Sequence, residues 1–389
     1  MLRLGQTRTL FRIFGFPIKV NPSWVFLFLL IVFSLSSRNG LLHQWLAGEQ
    51  PSETVYWVLG IIGAVGLFGS LIVHELAHCI IARYTGMPVR GITLFIFGGV
   101  SEMGDEPPTA GAEFFMAVIG PLTSVVIGMA CLLVWKVGDA FLSWPAVVGV
   151  VFRYLGTVNL LLAVFNSMPA FPLDGGRVVR SILWGVTGSL RTATSIAAGL
   201  GSAFALLMTV GGVLMVFLGS VIGGIWFIFI GFFLRQAAAT SVEQVRMRHT
   251  LSGEVIGRFM TTSVVTVRPE LTLRQFVDEY VLPYHFAVFP VVDGDGRLIG
   301  LVRARDPAAI AEAEWGAATV ALVMREATPD VLVDANTEAV EALSRLRGEA
   351  GRRLIVVENG RPVGIVSLRD LLDFLALKID LSPRGTSRG

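Results

Sequence analysis

Two histidines four residues apart, with a glutamate beside the first, lie at the end of a strongly apolar stretch. The pattern is His74-Glu75-Leu76-Ala77-His78, and residues 55–73 before it carry no charge. On a helix, positions i and i+4 share one face, so both imidazoles can bind a single Zn²⁺. Glu75 is then a candidate general base for a water at that metal. Because ionisable groups are costly inside a bilayer, their presence here predicts a functional site.

The composition indicates a protein with several membrane spans. Of 389 residues, 53% are hydrophobic and only 15% are charged, and the mean hydropathy is +0.69. These values exclude an ordinary soluble enzyme. The net charge of +2 and the lack of a long Lys/Arg run give no reason to expect a nucleic-acid partner. Most charge lies after Arg235, where the chain has the composition of a soluble domain.

Six membrane spans are predicted, since a spanning helix needs about 20 mostly apolar residues. Four candidates are single runs at about 20–37, 55–82, 113–135 and 146–169. Residues 192–234 carry no charge and, at about 1.5 Å per residue, can cross a core of about 30 Å twice. We therefore expect the chain to be an integral, multi-pass protein of the lipid bilayer.

Basic residues favour one orientation. With six spans both termini lie on the same side, and cytoplasmic segments are enriched in Lys and Arg. The opposite loops hold little beyond Arg38 and Lys136. We expect both termini in the cytoplasm, together with basic residues Arg3, Arg8, Arg12, Lys19, Arg83, Arg90, Arg177, Arg180, Arg191, Arg235, Arg246 and Arg248.

A catalytic zinc site needs a third protein ligand, and Asp174 is the best candidate. About twenty uncharged residues precede it. It lies in the segment Asn166-Ser167-Met168-Pro169-Ala170-Phe171-Pro172-Leu173-Asp174-Gly175-Gly176-Arg177. The two prolines break a helix there. An acidic group at membrane depth is expensive unless a cation pairs with it. Asp174 could instead begin a helix or pair with Arg177. Arg177 could itself be a topological anchor, or it could orient Asp174.

The two motifs, in this order, resemble the site-2 protease family of intramembrane zinc metalloproteases. The resemblance covers about residues 1–240 and extends to Phe97-Gly98-Gly99-Val100 and Gly120-Pro121-Leu122. It implies one zinc per chain and assigns the roles of the motif residues. The implied metal ligands are His74, His78 and Asp174, the implied general base is Glu75, and the residue implied to steady the oxyanion is Asn166.

The same resemblance implies a substrate and a way of holding it. Gly98 and Gly99 would lie in an edge strand that pairs with an unwound substrate, although they could form only a tight turn. Asn166 could merely bond to a neighbouring helix. The implied substrate is a single-pass transmembrane protein, typically a membrane-tethered regulator in a bacterium or archaeon, cut after other proteases have trimmed it.

The tail contains an internal repeat. Residues 260–306 are similar to residues 324–370, with a Met at the start, Val-rich strands, a helix and a closing hairpin in each copy. The predicted helices are 272–280 and 337–347. Two β-α-β-β-α units in tandem are therefore expected.

This repeat resembles tandem cystathionine-β-synthase (CBS) domains, which implies an adenine nucleotide site and association as a homodimer. Ser367 and Asp370 match the family's Ser/Thr-x-x-Asp signature near phosphate and ribose. The first copy keeps Asp306 but has Arg303 where the hydroxyl residue is expected, so at most one good site is implied. Scaffolding without a nucleotide is the alternative.

The predicted architecture is a polytopic α-helical membrane domain with a short membrane-associated β element, followed by an α/β tandem CBS module. The expected boundaries are 1–240 for the protease domain, 241–253 for a linker, 254–312 and 318–377 for the CBS domains, and 378–389 for the tail. A CBS-gated metal or ion transporter is the main alternative. It is disfavoured because no repeat occurs in residues 1–240 and the buried ionisable residues converge on one site. A catalytically silent relative is a third hypothesis, disfavoured because every catalytic position is present.

Overall fold

The computed structural model describes residues 7–38, 40–96, 98–103, 106–346 and 353–381. Contacts between residues divide the chain into two compact units, Met1–Val245 and Arg246–Gly389. Each unit is described by itself below.

The first unit is built mainly from long apolar helices. Six described segments are long and apolar enough to cross a membrane, with mean hydropathies of 1.7 to 2.3, which equals the number of spans predicted. The last of these helices continues past the end of the unit. The helices are α1 (Ser23–Ser36), α2 (Leu41–Trp45), α3 (Glu53–Tyr84), α4 (Ala110–Phe141), α5 (Ala146–Asn166), α6 (Asp174–Thr187), α7 (Leu190–Phe217) and α8 (Val221–Leu251).

Small residues bring the spanning helices together. A Cβ added to Gly128 of α4 would lie 3.1 Å from the carbonyl oxygen of Gly156 in α5, and one added to Gly156 would lie 3.0 Å from that of Gly128. Lipid tails are as apolar as leucine side chains, so helices in a bilayer associate by such close packing. Large apolar residues such as Leu29 and Phe33 instead face outward from the unit.

A four-stranded sheet packs against the helix that carries the two histidines. Its spatial order is β1-β2-β3-β4, with a parallel pair in the centre, β2–β3, and antiparallel pairs on either side. Ile18, Ile92 and Leu94 of the sheet form a buried cluster with Leu76 and Cys79 of α3. The strands are β1 (Arg8–Ile13), β2 (Phe16–Val20), β3 (Val89–Phe95) and β4 (Gly98–Met103).

The predicted break at the end of the fourth spanning region is present between α5 and α6. Residues 167–173 lie outside both helices, and Asp174 is the first residue of α6. Side chains at Gly175 and Gly176 would collide with the backbone of residues 167–171, so the chain folds back tightly on itself. Only glycine permits this approach.

The second unit contains two related halves. The first half has a π-helical segment, Phe276–Val281, between two short α-helical turns, so its helix extends beyond the predicted end at Tyr280. The elements are α9 (Leu273–Gln275), α10 (Leu282–Tyr284), β5 (Val288–Val292), β6 (Leu298–Arg303), α11 (Val320–Val323), β7 (Leu332–Val333), α12 (Ala339–Leu346), β8 (Arg353–Glu358), β9 (Arg361–Ser367) and α13 (Leu368–Leu381).

The two halves of this unit exchange their leading segments. Thr261, at the start of the first half, bridges to Ile365 of the second hairpin, and Arg325, at the start of the second half, bridges to Leu301 of the first. Ile256 accordingly packs in the core formed by the second half. Val320 packs in the core formed by the first half. Neither core is complete without the other half, so the two halves form one folding module.

Candidate functional site

Three side chains that are far apart in sequence converge in the first unit. The Nε2 atoms of His74 and His78 lie 3.2 Å apart. One carboxylate oxygen of Asp174, Oδ2, lies 3.2 Å from the first of these nitrogens and 3.3 Å from the second. Both histidines are nearly fully buried. The three donor atoms are therefore arranged around one point, as expected for ligands of a single ion.

Their spacing fits zinc. Zinc bonds to nitrogen or oxygen of about 2.0–2.2 Å at tetrahedral angles separate the ligand atoms by about 3.3–3.6 Å. The observed separations of 3.2 to 3.3 Å are close to that range. Two imidazoles and one carboxylate also leave a fourth tetrahedral position for water or substrate.

Helix α4 fixes the orientation of both imidazoles through their other nitrogens. His78 Nδ1 lies 2.6 Å from the carbonyl oxygen of Met116, which can only accept, so this nitrogen carries the proton. His74 Nδ1 lies 2.9 Å from the hydroxyl of Ser124. Hydrogen bonds of this kind fix the tautomer and direct the opposite nitrogen toward the metal.

A glycine in α4 makes room for the histidines. A Cβ on Gly120 would collide with His78 Nε2 and would lie 2.7 Å from His74 Nε2. Both atoms belong to the proposed ligand set, so no larger side chain fits here without displacing them. Gly120 of the Gly120-Pro121-Leu122 segment thus has a steric role.

Glu75 points toward β4 and is held there by a hydroxyl group. Ser101 Oγ donates a 2.6 Å hydrogen bond to Glu75 Oε2. Glu75 is mostly buried, with 9% of its surface exposed. A Cβ on Gly99 would lie 2.9 Å from Glu75 Cγ, so the strand passes directly over this side chain.

An ion pair fixes β4 to the rest of the sheet. Lys19 of β2 lies 2.9 Å from Glu102 of β4, and the hydroxyl of Thr93 in β3 also donates to this carboxylate. Burial alone would raise the pKa of Glu102, but the hydrogen bonds from Thr93 and Lys19 outweigh it and the pKa lies below its ordinary value. Among the described residues no strand pairs with the other edge of β4.

A buried acidic residue was not identified as significant from the sequence. Glu113, in the first turn of α4, is fully buried and accepts hydrogen bonds from the guanidinium of Arg180, one of them 2.7 Å long from Nε. Arg177 Nε lies 3.9 Å from the same oxygen. The ion pair that the structure describes for Arg177 is thus with Glu113. The sequence offers one indication of this role, which is that Glu113 is an acidic residue at the start of an apolar run.

Other residues named from the sequence lie near the site or apart from it. Asn166 is the last residue of α5 and is partly buried, and no described hydrogen bond joins it to the histidines or Asp174. Gly98 begins β4 with a φ of 120°, a conformation that favours glycine. The partners Ser101, Ser124 and Met116 were missed, because hydroxyl and carbonyl groups distant in sequence give no local signal.

In the second unit, the two signature aspartates make equivalent contacts. Asp370 Oδ2 accepts hydrogen bonds from the backbone nitrogen and the hydroxyl of Ser367, at 2.8 and 2.7 Å. Asp306 Oδ2 accepts from the backbone nitrogen of Arg303 at 2.8 Å. The other oxygen of Asp306 lies 3.6 Å from Arg325. Both aspartates therefore stabilise the turn between a strand and the helix after it.

Comparison with protein families gives two matches. Residues 62–142 and 142–210 match the model of peptidase family M50. Residues 255–308 and 322–377 match the CBS domain. The first match contains both histidines and Asp174, and the second contains both halves of the C-terminal unit.

Individual relatives extend over nearly the whole chain. Rip3 of Mycobacterium tuberculosis is 34% identical over 363 residues, which is 92% of this chain and 90% of that protein. Zinc metalloprotease MJ0392 of Methanocaldococcus jannaschii is 30% identical over 95% of this chain and 96% of its own length. A solved site-2 protease from the same organism is 31% identical, covers 60% of this chain and 94% of that one, and gives a TM-score of 0.43. The chain therefore belongs to the site-2 protease (peptidase M50) family and is a membrane zinc metalloprotease with tandem C-terminal CBS domains.

Proposed function

We propose that this protease is an endopeptidase that cuts the transmembrane helix of a single-pass, membrane-tethered protein. The supporting observation is the convergence of His74, His78 and Asp174 beside a strand whose outer edge has no partner among the described residues. A metal site alone would suit many hydrolases. A metal site next to an open strand edge, among apolar helices, suits a peptide that arrives through the membrane.

In this proposal His74, His78 and Asp174 hold one zinc ion. When bound, zinc supplies a Lewis acid and lowers the pKa of a water molecule, which is otherwise a poor nucleophile. The protein's own contribution is to hold two imidazoles and one carboxylate close together in a buried position. Ser124 and the carbonyl of Met116 preserve this arrangement through the Nδ1 atoms.

Glu75 is proposed to be the general base. Its carboxylate takes a proton from the attacking water and returns it to the departing amine, and Ser101 holds it in a fixed orientation meanwhile. Asn166 is proposed to donate a hydrogen bond to the oxyanion that forms on the scissile carbonyl. Its position at the end of α5, beside the break that leads to Asp174, is compatible with that role.

The substrate is proposed to add to β4 as an extra strand. A transmembrane helix conceals its carbonyl groups in hydrogen bonds to the fourth residue along, so it must unwind before hydrolysis. The backbone of β4 can replace those lost hydrogen bonds. Gly98 and Gly99 would form the part of the strand closest to the chemistry, because Gly99 lies over Glu75.

The proposal is tested by cleavage of a single-pass transmembrane fusion by purified protein in detergent, with zinc measured in the same samples. We expect about one zinc per chain and cleavage by the wild type, and zinc without cleavage by Glu75→Gln. Glu53→Gln is the matched control, because Glu53 lies at the exposed start of the same helix. Normal cleavage by Glu75→Gln would refute the general-base role.

The substrate mode has a separate test. Two fusions that differ only in the middle of their apolar segment are compared, one with leucines and one with a Gly-Pro pair that weakens the helix. If unwinding precedes hydrolysis, the Gly-Pro fusion is cut faster. Equal rates for the two fusions would contradict the proposed strand addition.

The CBS unit is proposed to bind an adenine nucleotide and so modulate proteolysis. Ser367 and Asp370 are the favoured contacts with the nucleotide. In the first half, Arg325 already lies beside Oδ1 of Asp306, the oxygen that the turn does not use. Calorimetry of the full chain with ATP and AMP tests this. Binding should be lost in Ser367→Ala and kept in Asp306→Asn. With no binding of either nucleotide, scaffolding or homodimerisation becomes the preferred role.

The proposed location is the cell membrane, with both termini and the CBS unit in the cytoplasm. Arg177 and Arg180 give little support for this orientation, because both pair with the buried Glu113 and their positions are explained by that contact. The remaining basic residues near the span ends support the proposal. A reporter that is active only in the cytoplasm should be active when fused after residue 245, and one that is active only outside the cytoplasm should be inactive. The opposite result would show that the topology is the reverse of the one proposed.

A further inference from the structure

Glu113 is an unusual residue for the start of a spanning helix. It is fully buried, and its Oε1 atom accepts two hydrogen bonds from Arg180, while its Oε2 atom has no hydrogen-bond partner in the described part of the chain. A buried carboxylate is costly in lipid or protein, and an ionisable residue at a spanning helix is a candidate for a functional role.

The face of α4 that carries Glu113 also contacts both histidines of α3. Glu113, Met116, Gly120 and Ser124 follow one another at intervals of three or four residues and are all buried, which places them along one stripe of the helix. Met116 and Ser124 bind the two Nδ1 atoms. Gly120 lies against the two Nε2 atoms. One rigid helix face therefore sets the position of both imidazoles.

Helix α6 meets this stripe through its arginines. Asp174 is its first residue, and Arg177 and Arg180 follow three and six residues later. Arg180 binds Glu113, and its guanidinium carbon also lies 4.9 Å from the centre of the Phe171 ring, in the segment before α6. The ion pair thus joins α6 and the preceding break to the helix that holds the histidines.

We infer that Glu113 and Arg180 are positioning residues for the metal centre, which lock α6 in the register that brings Asp174 to His74 and His78. This inference rests on the proposed ligand set. Apolar contacts between helices have no preferred direction, whereas two charge-assisted hydrogen bonds from one guanidinium to Oε1 of Glu113 restrict where Arg180 can lie. Glu113 therefore sets the position of α6 and adds little to the free energy of unfolding.

The test separates geometry from stability. Replacing both members by apolar residues of similar length, Glu113→Leu with Arg180→Met, removes the pair without leaving either member unpaired, a change that folded proteins often tolerate. Arg177 loses only its 3.9 Å contact with Glu113 in this variant and keeps its contact with Met103 Sδ. A second variant, Arg180→Lys, keeps the charge but loses the planar fork. Zinc affinity is measured by chelator competition, the ligand field by the visible spectrum of the cobalt-substituted protein, and folding by thermal unfolding without metal.

We expect the double variant to unfold at nearly the wild-type temperature without metal but to bind zinc about 10- to 100-fold more weakly, the range found when groups that orient metal ligands are lost. Its cobalt spectrum should shift. Arg180→Lys should show an intermediate affinity. The exposed pair Arg38–Glu53 provides the control, and Glu53→Gln should match the wild type in all three measurements.

Three outcomes overturn the inference. The first is wild-type zinc affinity and cobalt spectrum in the double variant. The second is a loss of metal-free stability in both variants of the pair, Glu113→Leu/Arg180→Met and Arg180→Lys, with zinc affinity unchanged in the folded fraction. The third is zinc binding unaffected by Asp174→Asn, which would refute the ligand assignment itself. If Asp174→Asn abolishes binding while the double variant binds normally, the proposed function survives and only the positioning role fails.

Discussion

The hydroxyl of Ser101 donates a 2.6 Å hydrogen bond to the carboxylate of Glu75, and so connects the edge strand to the motif glutamate. The two residues belong to β4 and α3. Gly99, two residues earlier in the strand, lies over the same side chain. A peptide that pairs with β4 would therefore approach a glutamate whose orientation depends on that strand.

Ser101→Ala should reduce cleavage while zinc stays bound. A hydrogen bond to a charged group contributes about 1.5–3 kcal/mol, so kcat should fall by about 10- to 100-fold. Ser70→Ala is the matched control, because Ser70 is buried on α3, the helix of Glu75, and its hydroxyl bonds to the carbonyl of Leu67. Loss of zinc from Ser101→Ala would show that the serine supports the metal instead.

Ser124→Ala should weaken zinc binding. Its hydroxyl is the partner of His74 Nδ1, and loss of such a partner typically costs about 10- to 100-fold in metal affinity. Thr123→Ala is the control on the adjacent position, since that hydroxyl bonds only to the carbonyl of Ile119 in its own helix. Chelator competition measures both, and equal affinities would contradict the orienting role.

Much of this site could be predicted from the sequence, because its key residues belong to local patterns. Spacing alone puts His74 and His78 on one helix face, and an acid after two prolines in an apolar run made Asp174 conspicuous. The six spans followed from length and hydropathy, since a bilayer imposes both. These predictions depend on residues near one another or on the solvent, not on tertiary contacts.

The rest depended on contacts between distant segments. The local sequence gives no sign that Ser101 contacts Glu75 or that Ser124 contacts His74, because only the tertiary fold brings these residues together. The charge pattern places Arg177 and Arg180 among the cytoplasmic basic residues, yet both lie against Glu113. Local charge counts do not reveal a buried partner in another helix. The exchange of leading segments in the CBS unit was likewise invisible, since a repeat shows similarity but not which halves pair.

Gly120→Ala should abolish zinc binding and proteolysis together. The added methyl group would occupy the space of the two Nε2 atoms, so the imidazoles would have to move from the ligand positions. Gly111→Ala is the matched control on the same helix, where a Cβ would meet nothing within 4 Å. That change should keep activity. Zinc content by mass spectrometry distinguishes the two, and a metal-loaded Gly120→Ala protein would refute the proposed site.

The last prediction concerns pH and the CBS unit. Lys378 of α13 lies 2.6 Å from Glu254, and Arg258 lies 2.7 Å from the other oxygen of that carboxylate. The hydrogen bond from Lys378, with the charge of Arg258, lowers the pKa of Glu254. A carboxyl whose pKa is lowered by folding stabilises the fold above its unfolded pKa, about 4.3, and this contribution disappears as the pH falls further.

Hydrogen-exchange protection around Lys378 should therefore decrease below about pH 4.3 in the wild type. Glu254→Gln should have lower protection at neutral pH and a smaller decrease on acidification, because its side chain cannot titrate. Glu341→Gln, which removes the exposed pair with Arg345, should keep the wild-type response around Lys378. An equal acid response in Glu254→Gln and the wild type would mean that another group controls the end of α13.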